Sequence, residues 1–158
     1  MVSDRLILPD ASGQLNTYVP TKKALPTTLS QPPKSRIAFA AAHVVADPLA
    51  NIDISSKAVL DWDATLAYRR YLWSLGFQVA EAMDTAQRGM GLDWEATKEL
   101  IKRSVSEAKI YNGGIACGAG TDHLSLTPDT TLADVIEAYE EQCSFIEAAG
   151  GRIILMAS

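Results

Sequence analysis

A repeat constrains this chain more than any other feature. Leu60-Asp-Trp-Asp-Ala-Thr65 recurs as Leu92-Asp-Trp-Glu-Ala-Thr97, and a related stretch, Leu124-Ser-Leu-Thr-Pro-Asp-Thr-Thr-Leu132, leads into a third helical pattern. The interval between copies is about one strand–helix unit, and self-similarity at such a period marks a fold built by repeating that unit. Each copy reads as a helix start. The Asp before Trp can cap the first turn, and the acid after Trp suits the positive end of the helix dipole. These residues are assigned to capping and not to chemistry.

Short apolar runs precede the repeats, in the order expected of βα units in a parallel sheet. The runs Ile37–Val45, Phe77–Met83, Gly114–Gly118 and Arg152–Met156 read as four strands. Trp62 to Leu75 sets Leu66, Arg69, Arg70 and Trp73 at helical spacing, with Gly76 at the helix end; Glu95 to Ala108 and Leu132 to Ala149 carry similar stripes, the last ending at Gly150-Gly151. Consecutive units of one length, with no unusual crossover, favour a closed barrel over a doubly wound sheet. The fold class is therefore α/β, the parallel (βα) half of a TIM barrel with about four βα units. A full barrel of this kind takes about 250 residues. Residues 36–158 are expected to be the first half of a (βα)8 barrel, truncated after strand four and completed by further chain or by another copy.

Residues 1–35 are a separate segment, holding five of the seven prolines. Arg5 to Pro9 and Gln14 to Pro20 flank the turn-forming Asp10-Ala-Ser-Gly13 and read as a β-hairpin, followed by a Pro-rich connector over 21–35. Such a hairpin would either plug the bottom of a barrel or stand free as an arm. The net charge of −5 comes without a basic stripe, so nucleic acid is not an expected partner. No stretch approaches the roughly 20 apolar residues of a membrane helix, and the start does not read as a signal peptide; a cytoplasmic location and no membrane partner are expected. Cys117 and Cys143 belong to no CxxC pair and read as buried thiols.

Leu60-Asp-Trp-Asp-Ala-Thr-Leu-Ala-Tyr-Arg-Arg-Tyr-Leu-Trp-Ser-Leu-Gly76 resembles the first helix of the dihydrodipicolinate synthase and N-acetylneuraminate lyase family, an I-D-W-x-A-L run ending L-I-E-x-G. From Gly76 the chain continues without gaps to Asp84-Thr-Ala-Gln-Arg88, where the family has G-T-T-G-E, and to Gly91-Leu-Asp-Trp-Glu-Ala-Thr-Lys-Glu-Leu-Ile101, where it has a T-L-x-x-E-E-x-x-x-V-I helix. Ala116-Cys-Gly-Ala-Gly-Thr121 is similar to the family's A-G-V-G-S strand, and Arg152–Ser158 to its fourth strand. The resemblance covers residues 36 to 158 and is closer to an uncharacterised dihydrodipicolinate synthase-like branch than to the working synthases. It implies a proton-relaying hydroxyl at Thr85, with Ala86 in place of the second threonine offering only its backbone N–H, and Gln87-Arg88 in place of Gly-Glu. A different substrate is implied. The Schiff-base lysine and the tyrosine that the family carries on later strands would lie beyond Ser158.

Active sites of such barrels gather at the C-terminal strand ends. His43, at the end of the first strand, suits general acid or base work near neutral pH, or a core imidazole bonded to a carbonyl. Glu81 would point into a polar lumen or meet a cation, because an unpaired buried acid is costly. Asp84, Thr85, Ala86, Gln87 and Arg88 form the following turn, with Asp84 at the mouth and Arg88 suited to a carboxylate or phosphate; a solvated loop is the plain alternative. Gly118 and Gly120 allow close approach of backbone to a ligand, and Thr121, Asp122 and His123 supply donors and acceptors; a tight turn with a helix cap is the plain alternative. His43, Asp84 and Thr85 are the catalytic candidates, the others substrate-binding.

Three functions fit this pattern. The first is a lyase or aldolase acting on a 2-keto acid or sugar-derived carbonyl compound through a lysine enamine, with no cofactor and no metal. The second is a metal-dependent sugar isomerase, epimerase or aldolase using His43, Glu81 and His123. The third is a non-catalytic half-barrel module stable only when paired. The partners expected are a small carbonyl substrate and either a homo-oligomer or the missing barrel half.

Overall fold

The computed structural model describes residues 5–20, 34–51 and 59–157. Among the described residues, three α-helices begin where the repeats place them. Helix α1 (Trp62–Ser74) is capped by Asp61, whose side chain accepts from Ala64 N–H at 2.9 Å, and α2 (Trp94–Tyr111) by Asp93, which accepts from Ala96 N–H at 2.9 Å. Helix α3 (Leu132–Ala149) starts with a reciprocal capping box between Thr131 and Asp134. Gly76 and Gly150 follow α1 and α3 with φ of 81° and 85°. Helix α2 runs past Ala108 to Tyr111 and stops at Asn112, one of the few non-glycine residues that takes the left-handed conformation readily, here with φ 50°.

The hairpin forms as expected from β1 (Leu6–Pro9) and β2 (Leu15–Tyr18), antiparallel, with the Asp10 carboxylate collecting bonds from Ser12, Gln14 and Asn16 across the turn. Every residue from 5 to 20 is exposed, so none of the hairpin is buried against the described residues. Of the expected connector over 21–35, residues 21–33 lie outside the described residues.

Strands β3 (Phe39–Ala41), β4 (Gln78–Glu81), β5 (Ile115–Ala119) and β6 (Arg152–Leu155) form one parallel sheet in chain order, β3-β4-β5-β6. An order without reversal is that of half a (βα) barrel and not of a doubly wound sheet. Strand β3 is shorter than the Ile37–Val45 run. Ala42 N–H still donates to the Ala80 carbonyl of β4 at 3.3 Å, but further on the backbone pairs with the start of α1: Val45 N–H donates to Thr65 Oγ1 at 3.0 Å, and Asp61 N–H to the Val45 carbonyl at 2.9 Å. Among the described residues no helix is long and apolar enough to cross a membrane.

Side chains alternate across each strand. Val79 turns toward Leu72 of α1, while Cys117 and Ala119 turn toward the core made with Leu100, Ile101 and Val105 of α2 and Ile146 of α3. Glu81 shares the helix-facing side with Val79 and meets Arg69 of α1. Both residues are fully buried, with Arg69 Nε to Glu81 Oε2 at 2.9 Å and Nη2 to Oε1 at 2.8 Å. Arg69 Nη1 donates to the His43 carbonyl at 2.6 Å and the Thr65 carbonyl at 3.0 Å, so one side chain ties the end of β3 and helix α1 to β4. Of the two environments expected for Glu81, the structure selects the cation and not the lumen.

Breaking this pair on one side leaves an unmatched charge in the core. Glu81→Leu is expected to destabilise the fold by about 3–5 kcal/mol, and Arg69→Met with Glu81→Leu by less than that single change, although the double variant still loses two carbonyl partners. Urea unfolding of the three proteins measures this, and a cost below about 1 kcal/mol for Glu81→Leu contradicts it.

Candidate active site

The C-terminal ends of β4, β5 and β6 enclose a cleft of about 210 Å³ lined by Asp84, Arg88, Gly120, Thr121 and Asp122, with Met156 and Ala157 on the β6 side. Pockets for drug-sized ligands begin at roughly 300 Å³; this one has room for a compound of a few heavy atoms. Larger depressions lie elsewhere, among them one of about 490 Å³ between Gly89–Glu95 and Asp122-His123, one of about 410 Å³ between the 123–130 segment and α3, and one of about 460 Å³ beside Ile136, Tyr139 and Leu155. The strand-end cleft is the one that gathers sequence-predicted residues from two separate turns.

The chain leaves β4 through Ala82, a buried residue with φ 53°, a conformation that alanine adopts only against strain. Its N–H donates to Glu81 Oε1 at 2.9 Å and its carbonyl accepts from Arg88 at 3.1 Å, so both buried arginines act on this kink, one of them through Glu81. A 3-10 turn (Asp84–Ala86) follows and places Asp84 at the rim, exposed, with its carboxylate in no ion pair among the described residues. Thr85 stands exposed on the same turn. Ala86 does not serve as expected: its N–H donates to the Met83 carbonyl at 2.8 Å and its methyl group lies in the core. Gln87 closes the turn in the left-handed conformation, with φ 64°.

Arg88 is almost wholly buried, and all five of its N–H groups are engaged inside the protein. Nη1 donates to the carbonyls of Ala82 at 3.1 Å and Gly118 at 2.7 Å; Nε donates to Asp122 Oδ2 at 3.2 Å; Nη2 donates to Asp122 Oδ1 and to Gln142 Oε1, the latter at 2.6 Å. The expectation that Arg88 binds a substrate carboxylate or phosphate is therefore corrected: it holds the ends of β4 and β5 and the middle of α3 together. Burial pushes the Asp122 carboxyl up, but hydrogen bonds from Gln142 and Arg88, with the charge of Arg88, outweigh burial and hold it below the ordinary value.

Gln142, on α3, is the residue the sequence reading missed. Its oxygen accepts from Arg88 and from Gly120 N–H at 2.8 Å, which sets the amide so that its nitrogen donates to Asp122 Oδ1 at 3.0 Å and to His123 Nδ1 at 2.8 Å. His123 is thereby an acceptor at Nδ1 and carries its proton at Nε2, directed to Glu141 Oε2 at 3.1 Å. The Trp94 indole N–H also donates to Glu141, and this bond, supported by His123, holds the Glu141 carboxyl below its usual range. A signal for Gln142 was present, since it interrupts the apolar stripe between Tyr139 and Phe145.

Other candidates lie elsewhere. His43 is exposed past the end of β3 with its ring 4.5 Å from that of Tyr68, and it does not line the cleft. Gly118 does not open the backbone to a ligand: a Cβ there would stand 2.8 Å from the Ala82 carbonyl and 2.9 Å from the sulfurs of Met83 and Met156, so the glycine lets two strand ends close on each other. Glu81 is held by Arg69 and His123 by α3, so the trio of His43, Glu81 and His123 does not converge, and the described residues contain no group of three or more His, Cys, Asp or Glu able to hold a metal ion. Cys117 is fully buried and Cys143 partly so, both free; burial, aided by Glu81, pushes the Cys117 thiol up to about 12, which keeps it unreactive.

The Asp122 carboxylate binds a proton less readily in the folded protein than in the unfolded one. It therefore stabilises the fold above its ordinary value of 3.8, and that contribution fades as pH falls through the lower folded value. The difference in unfolding free energy between wild type and Asp122→Asn is expected to be flat from neutrality down to about pH 5 and to shrink toward about pH 3. Urea titrations across that range measure it; a difference that persists undiminished at the acid end assigns the effect to another group.

With this geometry in hand, comparison with known proteins adds one finding. No curated protein matches the sequence. A family model described as a protein of unknown function, DUF993, matches residues 6–158, and the chain accordingly belongs to the DUF993 family.

Proposed function

We propose that this chain carries the reactive rim of a (βα)-barrel lyase or aldolase that acts on a 2-keto acid or a sugar-derived carbonyl compound. The observation that supports the reading is the strand-end cleft, with the exposed carboxylate of Asp84 at its rim and Thr85 beside it on the same turn. A carboxylate there can take the proton from a hydroxyl one carbon removed from the carbonyl carbon's neighbour, and Thr85 can pass it on. In the enamine route, a lysine amine condenses with the carbonyl and expels water. Proton loss from that hydroxyl then breaks the carbon–carbon bond, releases an aldehyde and leaves the electron pair as an enamine.

The described lysines are Lys34, Lys98, Lys102 and Lys109, and none lines the cleft. The reading thus requires a lysine from outside the described residues. Borohydride reduction of the full gene product with pyruvate or with dihydroxyacetone is expected to fix one adduct on one lysine, located by peptide mass. Asp84→Asn should retain the adduct while slowing turnover about 100-fold or more. Absence of an adduct with both compounds rejects the enamine route.

A further inference from the structure

We infer that the strand-end cleft takes a hydroxyl-rich, uncharged carbonyl compound and turns away one bearing a carboxylate or phosphate. The inference rests on the reading of that cleft as the reactive site and narrows its substrate class from two to one.

Three observations carry it. First, Arg88 is the only arginine, lysine or histidine among the described residues that line the cleft, and its five donors already meet Ala82, Gly118, Asp122 and Gln142. An incoming anion could gain a guanidinium contact only by displacing a partner that is buried or partly buried, leaving that partner unsatisfied. Second, the Gly120 N–H, the backbone donor that a strand-end glycine would offer to an anion, is held by Gln142 Oε1 at 2.8 Å. Third, the charge left without a counter-ion among the described residues is negative. Asp84 is an acceptor when ionised and has no donor of its own, so it favours a ligand that brings O–H groups and opposes one that brings a second negative charge.

Pyruvate and dihydroxyacetone form a matched pair for the test, both three-carbon carbonyl compounds, one with a carboxylate and one with two hydroxyls. The full chain, labelled with nitrogen-15, is titrated with each at equal ionic strength, and the backbone amides of Asp84, Gly120 and Thr121 and the Arg88 Nε–H are followed. Dihydroxyacetone is expected to shift the backbone amides, with pyruvate at least about tenfold weaker and the Arg88 signal unmoved by either. Asp84→Asn, a change at an exposed position, should reduce that discrimination; Asp122→Ala, which removes both oxygens and frees two Arg88 donors, should let pyruvate move the Arg88 signal. Overturning results are a wild-type Arg88 signal that moves with pyruvate, equal shifts from both compounds, or no shift from dihydroxyacetone. Failure of the enamine route shows separately, as the absence of a borohydride adduct with amide shifts intact.

Discussion

A guanidinium taken out of water must find an acceptor for each of its N–H groups, and the geometry of this protein's upper rim follows from how Arg88 does so. Two of its acceptors are carbonyls at the ends of neighbouring strands, two are oxygens of Asp122 in the turn after β5, and one is the amide oxygen of Gln142 on α3. No two of these groups are close in sequence apart from Gly118 and Asp122. A planar fork with fixed angles therefore dictates where two strand ends and the middle of α3 sit relative to one another. The strained left-handed turn at Ala82 is tolerable in that setting, because its carbonyl is one of the acceptors.

Arg69 does related work one layer away, pairing with Glu81 and reaching back to the end of β3. Buried ion pairs of this kind add little net stability over apolar packing of the same volume, yet removing one partner is severe. Their value here is positional. Apolar contacts between helix and sheet tolerate sliding, whereas two directional oxygens and two carbonyls accept the guanidinium in one arrangement only. The sheet order β3-β4-β5-β6 is set by the repeating unit, and the two arginines fix how its upper edge is finished.

Much of the scaffold could be read from the sequence because it depends on local rules. Asp61 and Asp93 cap the helices they precede, Gly76 and Gly150 follow helix ends in the left-handed conformation, and the Leu100, Ile101 and Val105 stripe of α2 falls on its buried face, whereas α1 buries Thr65 and Arg69 and α3 buries Gln142 and leaves Ile136 exposed. The site was legible only in part. Asp84, Gly120, Thr121 and Asp122 follow apolar strand runs in the chain, which puts them at strand ends, and they do line one cleft. The role of Arg88 was misjudged because its partners lie up to 54 residues away, and neither pattern nor propensity carries distance of that kind. Strand β3 was overextended for a similar reason: the apolar run continues, but its backbone partners come from the start of α1. Ala86 was expected to offer an N–H that a local turn had already taken, which could have been foreseen from the tendency of such turns to bond their own backbone.

Polar groups of a rim that bond one another cost little to keep in place. The Gln142 amide and the Gly120 N–H are bonded to protein partners, so these groups have little freedom left to lose when the cleft is filled. Association then forfeits mainly the motion of the small molecule itself, and even a three-carbon compound with few contacts can be held in one orientation.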